Sequence, residues 1–126
     1  MPVVLIAEDD VDIRNLISMA LKLQELKVIE AFDGRDALEK TILHHPDILI
    51  LDISMPHMSG FEVCEQVHAH DNLAHIPVIF VSAKVEQSEI LKSRLLGVDT
   101  VIEKPFDFVQ LVSKILNLIK ESGTGR

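Results

Sequence analysis

Three short apolar runs, Val3 to Ala7, Ile48 to Leu51 and Val78 to Val81, constrain this chain more than any other feature. They are rich in Val and Ile and do not alternate with polar residues. Strands buried on both faces read this way, and they occur mainly in parallel sheets covered by helices. Val28 to Ala31 and Thr100 to Ile102 are weaker strand candidates. Helical periodicity fills the gaps. Ile13, Leu16, Ile17, Ala20 and Leu21 make one apolar stripe, and Phe108, Leu111, Val112, Ile115 and Ile119 make another. Ala37, Leu38, Thr41 and Ile42 mark a shorter helix that Asp33 is placed to cap. Ser59 and Glu62 form a capping box ahead of Phe61, Val63, Cys64 and Val67. A fourth helix from about Gln87 to Leu96 stops at Gly97. The order is β-α five times over. It predicts an α/β fold, a (βα)5 doubly wound sandwich on a five-stranded parallel sheet with right-handed crossovers.

At 126 residues the chain is one domain by size, and its 48% hydrophobic content is enough for a core of its own. Residues 1–120 carry the pattern. The last six, Glu-Ser-Gly-Thr-Gly-Arg, are expected to be a flexible tail or linker remnant. The net charge of -8 and the lack of any Lys/Arg cluster argue against direct nucleic-acid binding, because that affinity rests on cations meeting phosphates. No apolar run approaches the roughly 20 residues needed to cross a bilayer. The first residues lack the basic start of a signal peptide. A single cysteine excludes an internal disulfide framework and suits a reducing, cytoplasmic setting.

In open α/β sheets, sites form beyond the carboxyl ends of the strands. The first strand runs into Glu8-Asp9-Asp10 and the third into Asp52, while the fourth ends at Ser82 and the fifth just before Lys104. Carboxylates gathered at one sheet edge repel one another unless a cation joins them, and oxygen ligands with open positions suit Mg²⁺. Asp52 then stands as a nucleophile able to form an aspartyl-phosphate. Phosphoryl transfer needs positioning and charge neutralisation, which Mg²⁺, Lys104 and the Ser82 hydroxyl would supply.

Taken together, Glu8-Asp9-Asp10, Asp52-Ile53-Ser54-Met55-Pro56 with Gly60, Ser82-Ala83 and Lys104-Pro105-Phe106 resemble the receiver domain of bacterial response regulators. The resemblance covers about residues 3 to 120. It implies a flavodoxin-like sheet in the order 2-1-3-4-5. It further implies that Asp52 accepts a phosphoryl group from the phosphohistidine of a sensor histidine kinase or phosphotransfer protein. Asp9 and Asp52 would bind Mg²⁺, with Glu8 acting through a bound water and Ser54 lending its backbone carbonyl. Ser82 and Lys104 would contact the phosphoryl oxygens, and the Lys104-Pro105 peptide would be cis. The family's usual face for dimerisation or output is made by the fourth helix, fifth strand and fifth helix; the output itself is unspecified. Such a domain catalyses its own phosphorylation without being a turnover enzyme.

One position departs from the pattern. Many receivers carry Tyr or Phe three residues before the lysine, where the ring moves inward as the Ser82-type hydroxyl turns to the phosphoryl group. Here that position is Val101, so the signal is expected to leave through a shift around residues 84 to 104. Ser54 and Lys84 occupy the places that tune phosphoryl lifetime. Plainer readings apply elsewhere: Asp10 as the cap of the first helix, Cys64 as a buried inert thiol, and His68, His70 and His75 as solvated side chains. Two other functions are weighed. A haloacid-dehalogenase-type phosphohydrolase would want an acid where Ser54 stands. A receiver-like interaction module that is never phosphorylated would be expected to have lost the acceptor, the acidic pair or the lysine.

Overall fold

The computed structural model describes residues 1–98 and 100–123, with side chains to residue 121. Five strands alternate with five helices: β1 (Val3–Ala7), α1 (Val11–Lys22), β2 (Lys27–Ala31), α2 (Gly34–His44), β3 (Ile48–Asp52), α3 (Gly60–His68), β4 (Val78–Ser82), α4 (Gln87–Leu95), β5 (Thr100–Glu103) and α5 (Phe108–Gly123). All strand pairs are parallel, in the order β2-β1-β3-β4-β5. The expected fold class and strand order are both present.

Pleating sorts the apolar residues into two cores. Leu5, Leu49, Leu51 and Phe80 face α2 and α3, where they meet Ala37, Phe61, Val63, Cys64 and Val67. Val4, Ile6, Ile50, Ile79 and Val81 face α1 and α5, against Ile17, Leu21, Leu111 and Ile115. Every residue of β3 and β4 is buried, which is why those strands read as unbroken apolar runs.

The helix ends follow their sequence signals. Asp10 accepts from the Asp12 and Ile13 amides and so caps α1. Asp33 accepts from Asp36 N–H, and Ser59 with Glu62 closes the capping box of α3. Gly97 follows α4 at φ 81°, a left-handed conformation that glycine adopts without a Cβ penalty. Helix α5 runs to Gly123, three residues into the segment expected to be a tail; residues 124–126 lie outside the described residues.

Not every expectation holds. Leu16, placed on the buried stripe of α1, is half exposed, and Ile17 and Leu21 carry that face. His68 is half-buried instead of solvated. Its Nδ1 lies 3.6 Å from Cys64 Sγ and its Nε2 3.2 Å from the Ile76 carbonyl, so it ties the end of α3 to the approach of β4. Cys64 is fully buried, and burial pushes its thiol pKa up to about 11, helped by Glu65, as expected for an inert thiol.

Candidate functional site

Strands β3 and β4 each extend one residue past their apolar runs, so Asp52 and Ser82 are the last residues of two adjacent central strands. Asp52 pairs in register with Val81, and Ser82 with Glu103. The backbone therefore carries a carboxylate and a hydroxyl to one edge of the sheet. Glu8 follows β1 directly, its amide donating to the Ala31 carbonyl at 3.2 Å, while Arg14 Nη1 donates to the Glu8 carbonyl at 2.8 Å. That pins the turn from which Glu8 and Asp9 project. The Lys104-Pro105 peptide is cis, and the Lys104 amide donates to the Ser82 carbonyl at 2.8 Å.

Glu8, Asp9 and Asp52 each offer a carboxylate oxygen, and these oxygens lie within 4.8 Å of one another. Glu8 and Asp52 are buried and Asp9 is exposed. Lys104 bridges the two buried ones, with Nζ 2.5 Å from Glu8 Oε1 and 2.9 Å from Asp52 Oδ2. Asp52 Oδ1 accepts the Ser54 N–H at 3.0 Å. Both oxygens of Asp52 are thus oriented before any ligand arrives.

The electrostatics show a site short of positive charge. Three carboxylates face one ammonium. Burial, and then the adjoining Asp52, raise the Glu8 carboxyl to about 8 although Lys104 opposes the shift. Burial alone would lower the Lys104 ammonium, but its bonds to Glu8 and Asp52 outweigh that and hold its pKa above the usual lysine value. Glu8 Oε2 is buried without a hydrogen-bond partner. An all-oxygen donor set with an unmet buried oxygen and excess negative charge fits a hard divalent cation such as Mg²⁺.

The remaining expected residues lie around this pocket. Ser54 is exposed beside Asp52. Ser82 is buried, but its hydroxyl is engaged on the α4 side, 2.9 Å from Glu89 Oε1 and 3.0 Å from the Lys84 carbonyl. Lys84 is exposed and touches Ser82 through its backbone, its amide donating to Ser82 Oγ at 3.3 Å. Val101 is half-buried against the same core as its strand neighbour Phe80. Two acids escaped the sequence reading. Glu89 holds Ser82, and Glu103 accepts the Val85 amide at 2.9 Å. Neither has a motif: the Glu89 contact depends on how the β4-α4 turn folds back, and the Glu103 contact on β4 and β5 being in register.

A five-stranded parallel sheet in this order, with an acidic pocket and a lysine at its carboxyl edge, is a flavodoxin-like receiver fold. Residues 4–116 match the response regulator receiver domain family, and the chain belongs to it. It is 34% identical over 118 residues to hybrid signal transduction histidine kinase D of Dictyostelium discoideum, covering 94% of this chain and 8% of that protein. Response regulator ArlR of Staphylococcus aureus is 28% identical over 117 residues, which are 93% of this chain and 52% of ArlR. The chain therefore spans about half of one curated relative and a small part of the other. The structure of chemotaxis protein CheY4 of Vibrio cholerae superposes with a TM-score of 0.88 at 27% identity, covering 94% of this chain and 98% of CheY4. Receiver domains of this family belong to two-component systems and act as signalling switches instead of turnover enzymes. Among the described residues, no helix is long and apolar enough to cross a membrane.

Proposed function

We propose that this chain is a phosphorylation-dependent switch in which Asp52 takes a phosphoryl group from the phosphohistidine of a sensor histidine kinase or phosphotransfer protein. The observation that carries this reading is the Asp52 carboxylate, buried at a strand end, with Oδ2 2.9 Å from the Lys104 ammonium and Oδ1 3.0 Å from the Ser54 amide. An idle carboxylate in such a place would be costly to bury. A carboxylate oxygen of Asp52 attacks phosphorus, the P–N bond to the donor histidine breaks, and an aspartyl-phosphate forms. Glu8, Asp9 and Asp52, with the Ser54 carbonyl, would hold Mg²⁺, which supplies neutralisation of the phosphoryl charge when bound. Lys104, poised between two carboxylates, supplies a second positive charge to the phosphoryl oxygens, and the Ser82 hydroxyl supplies a hydrogen bond once it turns from α4.

The setting is read as cytoplasmic, consistent with a single cysteine that is buried and forms no internal disulfide. A net charge of -8 supports no direct nucleic-acid contact by this domain. Leu91 and Leu95 are exposed on α4 and suit the α4-β5-α5 face as the surface for a second copy or an output partner.

The test is intact-protein mass after incubation with acetyl phosphate, with and without Mg²⁺, beside Asp52→Asn. A single phosphoryl adduct requiring both Mg²⁺ and Asp52 is expected. No adduct in the wild-type chain would leave the other reading, a receiver-like interaction module that is not phosphorylated.

A further inference from the structure

We propose that Glu89 is a positioning residue: it holds the Ser82 hydroxyl away from the phosphoryl site and thereby ties α4 to the sheet. The inference rests on the phosphorylation of Asp52 proposed above. Ser82 is 6% exposed, and its single hydroxyl proton has two acceptors in reach, Glu89 Oε1 at 2.9 Å and the Lys84 carbonyl at 3.0 Å. Hydrogen bonds to a carboxylate are the stronger kind, so the proton goes to Glu89. The Lys84 amide donates to the same oxygen at 3.3 Å and orients it. A phosphoryl group on Asp52, at the end of the neighbouring strand, is a rival acceptor for that proton. The hydroxyl serves one anion at a time.

Helix α4 is the element this bond restrains. Its N-cap, Glu86, makes no side-chain capping bond, and Ser93 is its one buried residue. Ser93 Oγ donates back to the Glu89 carbonyl at 2.7 Å, within the helix itself. Two further ties are Lys92, whose ammonium lies 4.8 Å from the centre of the Phe61 ring, and the C-cap residue Leu96, which packs half-buried against the same core as Phe61. A helix with so little buried surface opens at low cost, so one charge-assisted bond is a large share of what fixes it. Val101 leaves no ring to report the movement of Ser82. Exchange of the hydroxyl from Glu89 to the phosphoryl group does so instead, by releasing α4.

The experiment compares wild-type protein with Glu89→Gln, Glu89→Ala, Ser82→Ala and the Ser82→Ala/Glu89→Ala double variant. Affinity for beryllofluoride, a phosphoryl mimic, is measured with Mg²⁺, and backbone amide exchange over residues 87–95 is measured on the cation-free protein. Glu89→Ala is expected to bind beryllofluoride about three- to tenfold more tightly, the worth of one such bond released, with Glu89→Gln between it and wild type. Its α4 amides exchange faster before any ligand is added. In the Ser82→Ala background the Glu89→Ala change should leave affinity unaltered, because the two residues act as one unit. Unchanged affinity in Glu89→Ala, or the same gain with Ser82 absent, would overturn the proposal while leaving the switch intact. A wild-type chain that takes no beryllofluoride would sink the phosphorylation reading, and the role of Glu89 with it.

Discussion

Glu8 and Asp52 share one lysine inside a pocket that excludes most water, and the consequence is a proton held where solution chemistry would have released it. The Glu8 carboxyl, raised by burial and by Asp52, stands at about 8 against an ordinary value of 4.5. In cation-free protein the folded chain keeps this proton while the unfolded chain loses it. The stabilisation linked to it is therefore complete below pH 4.5 and lost as pH rises through about 8. Lys104 does not confuse the window: its pKa is raised from 10.5, so its contribution is constant at lower pH. Urea midpoints in the presence of a chelator should fall between about pH 5 and pH 8, and fall less in Glu8→Gln. Equal slopes would mean that Glu8 is ionised throughout. The two neighbouring acids separate by role. Asp10→Ala should cost about 1 kcal/mol as a lost N-cap while leaving cation affinity intact; Asp9→Asn should do the reverse. Sequence placed Glu8, Asp9, Asp52 and Lys104 at strand ends and so made the pocket legible. It was silent on Lys104 reaching Glu8 as well as Asp52, which joins residues far apart in the chain, and on Glu89 taking the Ser82 hydroxyl, which depends on how the irregular turn between β4 and α4 folds back.

The elements were legible in proportion to how completely each is buried. Strands β3 and β4, covered on both faces, announced themselves as apolar runs, and the capped helices α1, α2 and α3 carried their start signals. Helix α4 has neither an apolar stripe nor a capping side chain, and only its glycine stop was informative. Strand order came from family resemblance, because which strands lie side by side leaves no mark in apolar periodicity. Nor did the sequence show how the loop after β3 is braced. Gly34, the first residue of α2, sits so close to that loop that an added Cβ would lie 1.9 Å from the Met58 carbonyl oxygen. Since the obstacle is backbone, it cannot swing aside as a side chain would. Gly34→Ala should destabilise the fold by about 2–3 kcal/mol and slow phosphorylation, because the loop that must yield also carries Ser54, whose amide orients Asp52. Chemical denaturation and the acetyl phosphate assay read the two effects separately. Full stability in the variant would mean that the loop has room to spare.

On the scale of the whole molecule, 20 acidic residues against 12 basic ones give a self-repelling surface, and any added salt relieves part of it. A bound cation acts differently: it stabilises by mass action on one site. The distinction decides whether the acidic pocket is a built cation site or merely the densest part of an acidic surface. At equal ionic strength, Mg²⁺ should raise the melting temperature well beyond NaCl. The gain should approach about 2.7 kcal/mol when free Mg²⁺ is 100 times its dissociation constant. In Asp9→Asn the Mg²⁺ and NaCl curves should converge, because the exposed arm of the pocket has lost its charge while the surface loses only one unit of eight. Glu89→Gln removes the same single charge outside the pocket and should keep the full Mg²⁺ effect. If that variant loses it too, the stabilisation follows net charge, and the carboxylates at the sheet edge do not form a cation site of their own.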